Sequence, residues 1–247
     1  MIYKVTLAYD GWNYAGWQKQ SNALGIQEII EKALMKIHRT EVPITASGRT
    51  DAKVHALGQV FHFEPLVNMS CDQYRVALNA LLPEDIRIQK VEEAKDDFHA
   101  RFSAVSKRYD YICTYEKDNP FTYKYKMILK YPVDIELMRE GAKYLVGTHD
   151  FTSYSSSRIH PDKPRVKTVY RIDIQEEGKD IRFIFEGNGF LRYQVRMMTA
   201  VLLEVGKKRM TPEHVKEILD SRDKEASRYN AQPQGLYLVK VDYDTTD

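Results

Sequence analysis

Apolar residues recur along this chain with two periods, and each period predicts one kind of element. Tyr3, Val5, Leu7 and Tyr9 alternate with their neighbours and predict a strand over 2–9. Ile26, Ile29, Ile30, Ala33, Leu34 and Ile37 return at three- and four-residue steps, the spacing of one helix face, and predict a helix over roughly 24–38. The run around Val60, Phe61 and Phe63 predicts a strand, and Gln73 to Leu81 a helix ended near Pro83. Ile86, Ile88 and Val91 close this half with a further extended segment. The second half repeats the theme. Tyr109, Tyr111, Cys113 and Tyr115 alternate as a strand, and residues 134–146 read as a helix through Ile135, Met138, Ala142 and Leu145. Alternation at Val166–Ile174 and at Ile181–Phe185 predicts two strands around a turn at Glu177-Gly178. Residues 192–205 read as a helix, Thr211-Pro212 opens another to about Asp220, and Leu236–Tyr243 is a last strand.

Each half thus reads as β-α-β followed by further β, α and β, the alternation of a split βαβ, ferredoxin-like domain. The expected class is α/β of the α+β kind with mainly antiparallel sheets. Two domains are expected, 1–100 and 101–247, divided where the acidic stretch Glu92–Asp97 gives way to a basic strip that begins at Arg101. The connection Ser153–Lys167, with Arg158, Lys163, Arg165 and Lys167, is the candidate for a mobile segment ordered by a partner.

Composition narrows the class without naming a function. The 247 residues are 43% hydrophobic and 29% charged, which excludes collagen-like and disordered chains. Lys plus Arg number 37 against 35 Asp plus Glu, a net charge of only +2, so the total gives no sign of a nucleic-acid-binding domain. Cys71 and Cys113 lack any C-x-x-C spacing, which excludes a disulfide scaffold and a zinc knuckle and fits free thiols in a reducing compartment. The N-terminus opens on a strand with no apolar signal core, and no stretch approaches the roughly 20 apolar residues of a spanning helix. A cytoplasmic protein with no membrane partner is expected. Tyrosine is the outlier, 17 against 9 Phe, and its apolar ring with a polar tip suits wet interfaces and stacking on bases.

The segment ASGRTDAKVHALGQVFHF, residues 46–63, carries the candidate chemistry. It sets Asp51 in a short polar loop just before an apolar strand. Gly48 permits a tight turn, and Arg49, two residues away, could keep the carboxylate ionised and oriented. An ionised carboxylate in a cleft can act as nucleophile or general base. Read as residues alone, the same pair could simply tie down a surface turn. No second carboxylate is near in sequence, so a two-carboxylate glycosidase is not indicated, and there is neither a Walker A pattern nor a serine elbow. His55 and His62 lack metal spacing and read as structural, and His149-Asp150 reads as a brace at a helix end.

Along nearly its whole length the chain resembles the tRNA pseudouridine synthase A family. The blocks that carry the resemblance are YDGWNYAGWQKQ (9–20), GIQEIIEKAL (25–34), the Asp51 segment, LNALLPEDI (78–86), FHARFSAVSKRYDY (98–111), GTHDFTSY (147–154), GNGFLRYQVRMM (187–198) and AQPQGLYLVKVDY (231–243). The resemblance implies two ferredoxin-like domains around a central RNA-binding cleft, isomerisation of uridine to pseudouridine in tRNA without cofactor or metal, and a homodimer that grips tRNA. It implies Asp51 as the catalytic nucleophile, Tyr109 as an active-site tyrosine that stacks on the flipped uracil, Arg196 as a helix arginine that pairs with the aspartate, and Leu236 as an apolar contact to the base. The family's best-known targets are tRNA positions 38 to 40, in the anticodon arm.

Read alone, Tyr109 and Leu236 suit an apolar core equally well, and Arg196 a helix surface. Arg49, Lys53, Arg101, Lys107 and Arg108 are candidates for phosphate contact, although alternation sets Arg108 on the strand face opposite Tyr109. With Arg158 and Arg165 they suggest that basic charge concentrates near the site, while Glu92, Glu93, Asp96 and Asp97 gather elsewhere. Two positions depart from the family. Lys53 stands where Gly is common, so either the loop is conventional here or Lys53 reaches out to phosphate; a left-handed backbone would cost it about 1 kcal/mol. Gln232 stands where Pro is usual. Two other readings fit the residues: an RNA-binding protein without catalysis, whose tRNA affinity ignores Asp51→Ala, and a small-molecule hydrolase, whose activity ignores RNA and salt.

Overall fold

A computed structural model describes residues 1–160, 162 and 164–244. The chain divides into two compact units. One comprises Met1–Val105 and the described part of the stretch from Tyr237 onward; the other is Ser106–Leu236. Lys163, counted among the basic residues of the expected mobile loop, lies outside the described residues.

In the first unit, β1 (Ile2–Tyr9) is central, antiparallel to both β3 (His55–Phe63) and β4 (Ile86–Ala94). A short β2 (Thr45–Ala46) lies on β3, and the chain's last strand, β10 (Leu236–Tyr243), meets β3 in parallel at Tyr237–His55 and Leu238–Ala56. That strand was expected with the C-terminal half. Gly58 permits its approach: a Cβ there would lie 2.4 Å from the Val239 carbonyl oxygen.

Helix α1 (Ile26–His38) buries Ile26, Ile30, Ala33 and Leu34 of the expected stripe and leaves Ile29 and Ile37 half-buried. It starts two residues late because Gly25 is its N-cap, packed so closely on Gln18 that a Cβ would meet that carbonyl at 2.4 Å. Helix α2 (Cys71–Leu81) starts two residues early. Ser70 accepts from the Gln73 N–H, and the Gln73 side chain accepts from the Ser70 N–H, a capping box that fixes its first turn.

The second unit carries β5 (Ala104–Thr114), β6 (Met127–Ile128), α3 (Ile135–Lys143), β7 (Gly147–Asp150), β8 (Val166–Glu177), β9 (Asp180–Gly187), α4 (Gln194–Gly206) and α5 (Pro212–Ser221). The pairs β5–β9, β9–β8 and β8–β7 are antiparallel, and β6 alone adds a parallel pair. The protein is therefore α+β with mainly antiparallel pairing. Every residue of α4 is buried, Gln194, Arg196 and Glu204 among them, so this helix has no solvent face and no single apolar stripe. Gly141 on α3 lets α4 and α5 come close: a Cβ would sit 3.0 Å from Val215 and 3.3 Å from Leu202. The start of the expected mobile loop is core instead. Ser153, Tyr154, Ser155 and Ser156 are buried, and the Tyr154 hydroxyl donates to the Val215 carbonyl. Asp150 braces this turn by accepting from the Thr152 N–H and hydroxyl. Among the described residues no helix is long and apolar enough to cross a membrane.

Two imidazoles in the first unit make folding pH-dependent. Burial lowers the pKa of His38, and burial with the nearby His99 lowers that of His62. Each Nδ1 accepts a backbone N–H, from Leu66 and Ala100. The folded chain therefore binds fewer protons than the unfolded chain just below the ordinary histidine pKa of about 6.5. The urea midpoint should be level between pH 7 and 8 and fall on going to pH 5.5; a midpoint that rises toward pH 5.5 refutes this origin.

Candidate active site

The loop that carries Asp51 is held from below by the first sequence block. Trp17 donates its N–H to the Thr50 carbonyl (3.1 Å), and Lys53 donates its N–H to the Tyr14 carbonyl (3.2 Å). The Tyr9 hydroxyl bonds the Thr50 hydroxyl at 2.8 Å in a buried pair, and burial raises the Tyr9 pKa, so the phenol stays neutral. On the other flank, Ser47 donates to the Gln59 side-chain oxygen (2.7 Å), and the Gln59 amide donates to the Gly48 carbonyl (3.0 Å). Asp51 closes a turn by accepting the Val54 N–H on its main-chain carbonyl (3.2 Å).

Two glycines make this packing possible. At Gly11 a Cβ would lie 1.9 Å from the Val54 carbonyl oxygen, and at Gly16, where φ is +99°, 2.6 Å from the Thr50 carbonyl oxygen. The Gly11 N–H donates to Nδ1 of buried His55, whose ring stacks on Tyr237 at 4.8 Å. His55 is thus a bracket of the loop, as its lack of metal spacing suggested. Sequence reasoning did not assign Gly11, Gly16, Tyr9, Trp17 or Gln59 to the site. The close spacing of glycines and aromatics in residues 9–17 was the available signal.

Asp51 is half-buried, between the exposed side chains of Arg49 and Lys53. The loop is not conventional at Lys53. Its φ is +64°, the left-handed region a glycine would favour. The strain costs about 1 kcal/mol. Its ammonium lies 4.4 Å from the centre of the Trp12 ring, and a cation–π contact of about 0.5–1 kcal/mol offsets much of that cost. Arg101, also in the first unit, is exposed in the turn after Phe98.

The second unit gathers the other candidates, with one exception. Tyr109 is 9% exposed on β5, and its ring meets Phe190 edge-on at 5.4 Å. Tyr111, two residues on and so on the same strand face, donates its hydroxyl to the Gln232 carbonyl (2.7 Å). Arg196, also 9% exposed, donates Nε to the Ala231 carbonyl at 2.7 Å, and Ala231 returns its N–H to the Arg196 carbonyl at 3.2 Å. Tyr193, left-handed at φ +69°, presents its ring 5.0 Å from the Arg196 guanidinium.

The connection 231–235 is therefore fastened to both α4 and β5, and it delivers the buried Leu236. Arg108 is the exception. It turns to the opposite strand face and holds Asp110 through two bonds of 2.8 and 3.0 Å, with Arg182 adding a third at 3.2 Å. The bond to Asp110 raises its pKa, so Arg108 is a strand brace in this structure. Lys107 is half-buried beside it.

Gln232 takes φ −59° and ψ 141°, angles a proline would adopt. Gln232→Pro should therefore raise stability by about 0.4–1 kcal/mol through a less free unfolded chain. The check is the urea midpoint, and a lower midpoint refutes it.

Known proteins resemble the chain over almost its whole length. A family model described as tRNA pseudouridine synthase matches residues 6–103 and 142–244, stretches that hold Asp51, Arg196 and Leu236. The chain belongs to the tRNA pseudouridine synthase family. It is 43% identical to a tRNA pseudouridine synthase A of Exiguobacterium sp. over 99% of this chain and 98% of that one. It is 45% identical to that of Limosilactobacillus reuteri over 99% and 98%, and 44% identical to that of Listeria monocytogenes over 98% and 99%. The enzyme is thus an isomerase that makes pseudouridine in tRNA. Tyr109 lies between the two matched stretches.

Proposed function

We propose that this enzyme isomerises uridine in the anticodon stem-loop, at positions 38 to 40, with Asp51 as its nucleophile. The observation that carries the reading is the support built around the Asp51 loop. Two glycines, a buried tyrosine–threonine pair and a serine–glutamine–carbonyl relay hold one half-buried carboxylate in a strained turn. Such investment suits a residue whose position matters to chemistry.

The reaction breaks the N1–C1′ bond, turns the base and joins C5 to C1′. A proton leaves C5 and N1 gains one, so substrate and product are isomers. No electrons or groups need to be supplied by a cofactor. The target base must leave its stack to react. Tyr109 then stacks on the uracil and handles a proton, Leu236 packs on the base, and Arg196 serves the Asp51 carboxylate as its cation. Arg49, Lys53, Arg101 and Lys107 meet phosphates, Arg108 joins them only if it leaves its brace to Asp110, and the working form is a cytoplasmic homodimer of two-domain chains.

The test incubates the enzyme with unmodified tRNA and maps pseudouridine at single-nucleotide resolution. Product at 38 to 40 supports the reading. Product only elsewhere overturns the target, and no product in any tRNA of the host overturns the activity.

A further inference from the structure

One cluster in the first unit presents an exposed ring that neither the core nor the proposed chemistry uses. Phe102 is 76% exposed, yet its ring is stacked on His99 at 4.3 Å with 29° between planes. The Arg101 guanidinium lies 5.5 Å from the same ring. His62 stands behind His99 at 5.0 Å.

The turn that presents these rings is locked by side chains. Nδ1 of His99 accepts the N–H groups of both Arg101 and Phe102, each at 3.2 Å. Nδ1 of His62 accepts the Ala100 N–H at 3.0 Å. Ser103 completes the lock: its hydroxyl accepts the His99 N–H, and its own N–H donates to the His99 carbonyl. Isolated exposed phenylalanines need no explanation. This one is different, because two imidazoles fix the turn and a cation stands beside the open ring.

We propose that Phe102, backed by His99, is a stacking platform for an unpaired tRNA nucleobase other than the target uridine, and that Arg101 holds that nucleotide's phosphate. Aromatic rings joined to arginine are the common means of holding unpaired bases, because every base has a π-face and every nucleotide a phosphate. A preset ring also loses little freedom on binding. A second copy of the chain fits less well, since a two-fold contact centred here would set Arg101 against its own counterpart. The proposal rests on the enzyme acting on tRNA.

The test measures the Kd of wild type, Phe102→Leu, Phe102→Trp and Arg101→Gln for unmodified tRNA over a salt series, with sedimentation of each. Phe102→Leu should weaken binding about tenfold, and Phe102→Trp should stay within about twofold of wild type. Arg101→Gln should weaken binding and lower the slope of log K against log salt by about one unit. Leucine keeping wild-type affinity, or tryptophan binding as poorly as leucine, overturns the platform. A change in sedimentation with tRNA affinity intact assigns the patch to self-association and also overturns it. Wild-type protein that binds tRNA through Phe102 but forms no pseudouridine overturns the proposed activity and leaves the platform standing.

Discussion

Asp51→Asn removes pseudouridine formation, lowering the single-turnover rate roughly ten-thousandfold or more, while tRNA affinity stays within about threefold of wild type. The amide has nearly the shape of the carboxylate. It leaves intact the main-chain bond to Val54, the Tyr9–Thr50 pair and the Ser47–Gln59–Gly48 relay, none of which uses the Asp51 side chain. The near-isosteric amide and these unchanged bonds should keep the loop folded, which a urea midpoint checks. The amide is neutral and a poor nucleophile, so the chemical step loses its reagent. Binding to tRNA is dominated by phosphate contacts, and loss of one negative charge does not weaken them. Rapid-quench measurement of pseudouridine, beside a binding isotherm at the same salt, reads both. A rate within tenfold of wild type removes Asp51 from the nucleophile role. A similar loss in affinity and rate assigns it to binding instead.

The elements with strong periodicity were legible in the sequence, and those without it were not. Strand β1 and the stripe of α1 follow from spacing alone, because burial on one face imposes the period. β6 is two residues long, and β7 spans only four, too short for a period to register. The partner of β10 was not legible either, since local pattern carries no information about which distant strand a segment meets. At the candidate site, the Asp51 loop was visible as a motif, but its support was not. Tyr9, Gly11, Gly16 and Gln59 act through bonds and close approaches to residues 11 or more positions away, and only coordinates show them. Arg108 shows the reverse case. Alternation set it opposite Tyr109, and its fork on Asp110 confirms that face. Lys53 and Gln232, where the resemblance leads one to expect glycine and proline, take backbones those residues would adopt, with φ +64° and −59°. Side-chain identity alone did not reveal the backbone at either position.

Arg196→Lys should lower the rate about a hundredfold at saturating tRNA and destabilise the fold by about 1–3 kcal/mol, and the two effects have separable causes. The structural part follows from the clamp. Arginine Nε donates to the Ala231 carbonyl, and lysine has no donor at that position along its stem. Ala231 is buried, so its carbonyl loses a partner that water does not readily replace. The helix and the connection leading to Leu236 would then lose one of the two bonds of this clamp and keep the Ala231 N–H bond back to Arg196. The catalytic part follows from geometry at the other end of the side chain. A guanidinium meets a carboxylate as a planar fork, and an ammonium meets it as a point, free to turn. Rates are therefore compared at a temperature where calorimetry shows the variant fully folded. If the folded variant runs within threefold of wild type, Arg196 is a clamp and nothing more. If the loss remains, and appears in kcat rather than KM, the arginine acts where charge develops in the reaction.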